Sequence, residues 1–136
     1  MTLIQSQNAQ SIQYPSRTVE RAERAMRCSS FQLPLFTAMI SSSVPLQAIA
    51  SEPGIQHGYT RRPLTELAVE NGLVWLIQVG ILRREVDGQG ITDSFRLTPL
   101  GRQLVEKWER NGGVLPAPSF LDHVYNSLTR WLRWPF

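Results

Sequence analysis

The chain has 136 residues, enough for one domain with a buried core and some length left for tails. Hydrophobic residues make up 42% and charged residues 18%, which excludes a wholly disordered chain. A net charge of +3 and a pI of about 9.6 suit an anionic partner, but many neutral-surfaced proteins reach the same values.

Lys107 is the only lysine among 14 basic residues. The arginine bias favours bidentate contact with phosphate or carboxylate and stacking on rings. Cys28 stands alone, so no internal disulfide can form and a reducing, cytoplasmic compartment is expected. The opening "MTLIQSQNAQSIQYPS" has no basic region followed by an apolar run, so no secretory signal is expected. From Cys28 to Ser51 the chain is uncharged, yet Pro34, Pro45, Gln32, Gln47 and the serines at 41–43 interrupt it too often for a lipid-facing helix.

Residues 1–15, rich in Gln and Ser, read as a flexible arm. A helix is expected from an N-cap at Ser16 through "RTVERAERAMRCSS", with Val19, Ala22 and Met26 as its apolar stripe. Glu20–Arg24 and Glu23–Arg27 are acid-before-base pairs one turn apart, each worth a few tenths of a kcal/mol. Pro34 restarts the chain into "LFTAMI". "VPLQAIA" reads as a short helix closed by the breaker run "SEPG".

The next helix is expected from about Arg62, with Pro63 in its first turn, through "LTELAVENGLVWLIQ" to Gly80. Gly72 weakens it, and "ENG" could instead end one helix and start another; a single helix is the preferred reading. "ILRREV", the turn "DGQG" and "ITDSFRL" form a hairpin around Asp87-Gly88. Thr98 caps a helix whose first residue is Pro99 and whose inner face is Leu100, Leu104, Val105 and Trp108. "NGG" ends it, residues 113–118 form a linker, and Ser119 with Asp122 caps a last helix over 119–136.

The order helix, short helix, longer helix, hairpin, helix resembles a winged helix-turn-helix domain. "WLIQVGILRRE" at 75–85 and "FRLTPLGRQLVEKW" at 95–108 carry the resemblance, which spans residues 17–112. It implies a mainly α fold with a two-stranded β-hairpin wing, here over residues 16–112, with an added C-terminal amphipathic helix. Taken whole, the chain also resembles small uncharacterised proteins of cyanobacteria.

Enzymatic readings fail on spacing. His57 and His123 lie far apart, neither is near Cys28, and no CxxC, HExxH or glycine-rich phosphate loop is present. No catalytic residue, metal ligand or cofactor is expected. The resemblance implies instead a DNA-binding transcriptional regulator. Tyr59, Thr60, Arg61 and Arg62 would stand at the start of the recognition helix, and Arg83, Arg84 and Arg96 would face phosphate from the wing.

Charge counts against that reading. Glu85, Asp87 and Asp93 offset the wing arginines, and Glu66 and Glu70 offset Arg61 and Arg62, which leaves little counterion release. The long helix also carries two apolar stripes. Leu64, Leu67, Ala68 and Trp75 are expected to face the core, leaving Val69, Leu73 and Leu76 for another helix. A winged helix used for protein contact, at a membrane-bound complex for instance, is therefore the alternative.

On the C-terminal helix, Phe120, Leu121, Val124, Tyr125, Leu128, Trp131 and Leu132 gather on one half, with Asp122, Asn126, Thr129, Arg130 and Arg133 on the other. Its apolar half is expected to pack on its own domain or to form a homodimer, with docking on a membrane surface or another protein as the remaining choices. Phe120, Val124, Leu128, Trp131 and Trp134 are the expected contact residues.

Overall fold

The computed structural model describes residues 13–113 and 115–132, so most of the expected arm and all of residues 133–136, Trp134 included, lie outside the described residues. Among the described residues the protein is mainly helical, with a small antiparallel sheet. No helix there is long and apolar enough to cross a membrane.

Helix α1, Ser16–Cys28, starts directly after Pro15, with Ser16 inside the helix rather than capping it. Ala22, Ala25 and Met26 are buried. Its expected internal ion pairs give way to longer-range partners. Lys107 reaches Glu23 at 2.9 Å, and Arg27 turns to Asp122 at 2.8 Å. A pair one turn apart on an exposed face is worth too little to compete with a partner that also ties two elements together.

Helix α2, Leu33–Ser41, accepts Pro34 in its first turn and buries Leu33, Leu35, Phe36 and Met39. The short helix expected at "VPLQAIA" is only partly present. Val44–Pro45 form strand β1, and only Leu46–Ile49 are helical, as α3. "SEPG" opens a further helix, α4, Ser51–Gln56, instead of closing one. Ser51 turns the chain at φ +59°, and its N–H donates to Leu64 O at 2.8 Å.

Helix α5, Glu66–Gln78, begins four residues after the expected start at Arg62, where Thr65 accepts a hydrogen bond from Ala68 N at 3.1 Å. It runs unbroken through Gly72. A Cβ at that position would stand 3.0 Å from the Phe31 ring, so glycine lets α5 lie against it. The expected inner stripe of α5 holds only in part: Trp75 is buried and Leu64 packs against the core, but the second stripe is buried as well. Val69, Leu73 and Leu76 are fully buried, whereas Leu67 and Ala68 are exposed. Both stripes are apolar enough to serve; packing against α1 and α3 decides between them.

Strands β2, Leu82–Asp87, and β3, Gly90–Leu97, form the expected hairpin, with Leu82 opposite Leu97 and Val86 opposite Ile91. The sheet has three strands rather than two, in the order β1-β3-β2, because Val44 and Pro45 pair with Phe95 and Ser94. Pro45 is tolerated because β1 is an edge strand.

Helix α6, Pro99–Arg110, follows as the capping signal predicts. The Thr98 hydroxyl accepts from Gly101 N at 3.1 Å and lies within donating distance of the Gly80 and Ile81 carbonyls. One threonine thus joins the end of α5, the start of the hairpin and the start of α6. Leu100, Leu104, Val105 and Trp108 are buried as expected. Helix α7, Phe120–Leu132, is preceded by a reciprocal cap: Ser119 N donates to Asp122 at 2.9 Å, and Asp122 N to the Ser119 hydroxyl at 3.2 Å.

At Gly101 a Cβ would stand 2.5 Å from Ile81 O and 2.8 Å from Leu97, so α6 can approach the hairpin only over glycine. Gly101→Ala is expected to cost about 1–3 kcal/mol, a drop of several degrees in thermal midpoint. An unchanged midpoint would show that the junction yields without cost.

Candidate functional site

Tyr59–Arg62 lie in the loop between α4 and α5, ahead of the helix rather than on its first turn. Thr60 is buried and bridges to Phe31, so it faces the interior. Tyr59 is half-buried and stacks on His57, with ring centroids 5.0 Å apart. Arg61 and Arg62 are exposed, and Arg61 Nε meets the Gln32 side-chain oxygen at 3.0 Å when that amide also donates to Gly58 O. Of the four, only the two arginines present charge to solvent.

Each wing arginine has a carboxylate partner. Arg83 stands 3.5 Å from Glu85, and Arg96 stands 3.6 Å from the same Glu85. Arg84 stands 3.5 Å from both Glu70 and Asp93, and its guanidinium lies over the Phe95 ring at 4.9 Å. A phosphate would have to displace carboxylates already placed beside these arginines by the sheet and by α5. Beyond them, the tip of the hairpin shows the exposed cross-strand pair Val86 and Ile91 instead of cations.

The structure builds a different surface around α7. At 100° per residue, Asp122, Asn126 and Thr129 fall on one side of this helix. That polar side is the one docked on the body. Arg27 of α1 holds Asp122 at 2.8 Å, the Trp75 indole N–H of α5 donates to Asn126 at 2.9 Å, and Arg130 donates to Asn71 O at 3.0 Å. Thr129 is buried, and its hydroxyl donates back to Tyr125 O at 2.7 Å, so no polar group is stranded there. Arg24 lies over the Tyr125 ring at 5.3 Å.

The apolar half therefore points outward and does not pack on its own domain, the first of the two expected arrangements. Phe120 is 81% exposed, Leu121 63%, Tyr125 57%, Leu128 49% and Trp131 80%, while Val124 is half-buried. Four of the five expected contact residues stand on this helix; Trp134 lies outside the described residues.

The chain belongs to the Npun_F0494-like family. The match to that family covers residues 12–130, so it takes in the loop, the wing and nearly all of α7. No curated protein and no solved structure matches the chain.

Sequence reasoning missed Trp75 and Arg27 as the receivers of α7. The signal available was the pattern of polar residues at 122, 126 and 129, spaced as a docking stripe in its own right. Cys28, half-buried beside this seam, has its thiol pKa pushed up by burial and then by the charge of Asp122. That shift is opposite to what a nucleophile needs. No group of three or more His, Cys, Asp or Glu side chains placed to hold a metal ion is found among the described residues.

The Ser119 backbone N–H first, and then the Arg27 guanidinium, hold the Asp122 carboxyl below the usual carboxylate range. A depressed folded pKa makes the contact fully effective above the ordinary carboxylate value and lost as pH falls through the lower folded one. Amide protection in α7, corrected for intrinsic exchange, should therefore hold from neutral pH to about 4 and fall only in stronger acid. Asp122→Asn should lower α7 protection at neutral pH while α6 keeps its own. Equal protection in both proteins would show that the ion pair does not hold the helix.

Proposed function

We propose that the chain is a non-enzymatic protein of winged-helix build that works through contact with protein rather than with DNA. The observation that carries this reading is the outward apolar face of α7, with five large side chains exposed on one helix. Monomeric proteins seldom leave so much contiguous apolar surface uncovered. The winged-helix assignment is supported by the element order, with α3 and α4 before the longer α5, then the hairpin and α6, and by β1 flanking the hairpin through β3.

Features that would serve DNA are spent otherwise. The wing arginines stand beside carboxylates, and toward the wing tip the exposed residues are the pair Val86 and Ile91 and then Asp87, not cations. The solvent-facing positions of α5 include Glu66, Leu67 and Asn71, which present acid and hydrocarbon where a major-groove helix would present cations and amides. Arg130 of α7 also reaches Asn71 O, so α7 runs close to that face.

DNA binding keeps one favourable observation. Arg61 and Arg62 stand exposed side by side just ahead of α5.

A titration with random-sequence duplex DNA across salt concentrations decides between the two. Protein contact predicts no measurable association even at about 50 mM salt. Association that weakens with a log–log slope of several phosphates would overturn the proposal. In that case Arg61→Ala with Arg62→Ala should flatten the slope by about 2.

A further inference from the structure

The occupant of the outer face of α7 is written in its spacing. Leu121, Val124, Leu128 and Trp131 recur at intervals of 3, 4 and 3 residues, the interval of a seam between two helices. Phe120 and Tyr125 flank that seam. With aromatic side chains offering about 150–250 Å² each, the exposed fractions amount to on the order of 600 Å² of apolar surface on one protomer. Covered entirely, two such faces would together reach the roughly 1,200 Å² at which specific interfaces begin.

Lipid is a poorer fit among the described residues. No cation falls within the apolar arc, and the nearest two are engaged by the protein itself, Arg24 over the Tyr125 ring and Arg130 on Asn71 O. A helix lying on an anionic surface uses such cations on headgroups instead. Access is open to a second helix, because the docked residues Asp122, Asn126 and Thr129 lie on the far side and the body stands behind them.

We propose that a second copy of this chain covers the face, with the two α7 helices antiparallel about a two-fold axis. In that arrangement Leu121 of each protomer meets Trp131 of the other and Val124 meets Leu128, with Phe120 beside Trp131 at the edge of that contact. The middle of the seam is then lined by its smaller side chains, and each end by an aromatic pair. Antiparallel packing also sets the two helix dipoles head to tail. The closed symmetry covers both faces at once and leaves neither exposed. The inference deepens the protein-contact reading and rests on it.

Sedimentation of the full chain, alone and with phosphatidylcholine–phosphatidylglycerol vesicles, tests it. The expected result is a dimer with a Kd at or below about 10 μM and no association with vesicles. Phe120→Glu and Trp131→Lys, both at strongly exposed positions, should each weaken the dimer at least about tenfold without moving the monomer's thermal midpoint. The double variant should regain most of that loss, because antiparallel pairing sets each glutamate against a lysine. Parallel pairing would set like charges together.

A dimer indifferent to the single substitutions, or a double variant weaker than either, overturns the antiparallel pair. A monomer that ignores vesicles overturns the second copy alone and leaves the face to another protein. A monomer that sediments with vesicles overturns the second copy and the protein-contact reading together.

Discussion

Arg27 meets Asp122 at 2.8 Å and the Trp75 indole N–H meets Asn126 at 2.9 Å, and these two contacts decide which way α7 faces. Burying on the order of 600 Å² of apolar surface is worth about 15 kcal/mol at 25 cal/mol per Å², as an upper figure. A hydrogen bond contributes only about 1 kcal/mol, and a partly exposed ion pair adds little. Hydrophobicity alone would therefore roll the helix over. What prevents it is the receiving surface, where Arg24, Arg27 and the indole N–H of Trp75 meet α7. An apolar face pressed there would take from Arg27 and the Trp75 indole N–H the partners they have on α7, and burying such groups unpaired is costly. The polar seam is consistent with the body of the protein, and the outer face with something else.

The same economy of charge runs through the wing. Arg84 is shared between Glu70, Asp93 and the face of Phe95, which uses the planar, multiply donating guanidinium as a lysine could not be used. Arg102 and Arg130 donate to the backbone carbonyls of Ile40 and Asn71. The arginine bias of the composition thus serves internal contacts between elements at least as much as any outside partner. A pI of about 9.6 counts charges without knowing which are already engaged. Position and pairing, not the total, set the affinity of a surface for phosphate.

Features governed by near neighbours were legible in the sequence. Thr98 before Pro99, Ser119 before Asp122 and the Asp87-Gly88 turn each depend on a few adjacent residues, and each forms as read. Strand β1 was not legible, because two residues become a strand only when Phe95 and Ser94 arrive to pair with them. Nor was the inner face of α5. With apolar residues on two sides, periodicity cannot choose between them, and the choice is made by α1 and α3. Thr60 went the same way: its exposure depended on a helix start four residues later than the proline suggested, and on Phe31.

Helix α7 shows where amphipathic reasoning stops. The pattern from Phe120 to Trp131 establishes that one face needs a cover, but the usual inference that the domain itself supplies it holds only if the domain offers an apolar trough. Here the answer is stored far upstream, in Arg24 and Arg27 on α1 and Trp75 on α5. Those residues read in isolation as helix-face arginines and a core tryptophan. Only once α1 and α5 lie side by side do they form a polar bed, and a polar bed selects the polar side of the incoming helix. The outward turn of the apolar face is thus fixed by what the body of the protein declines to bury.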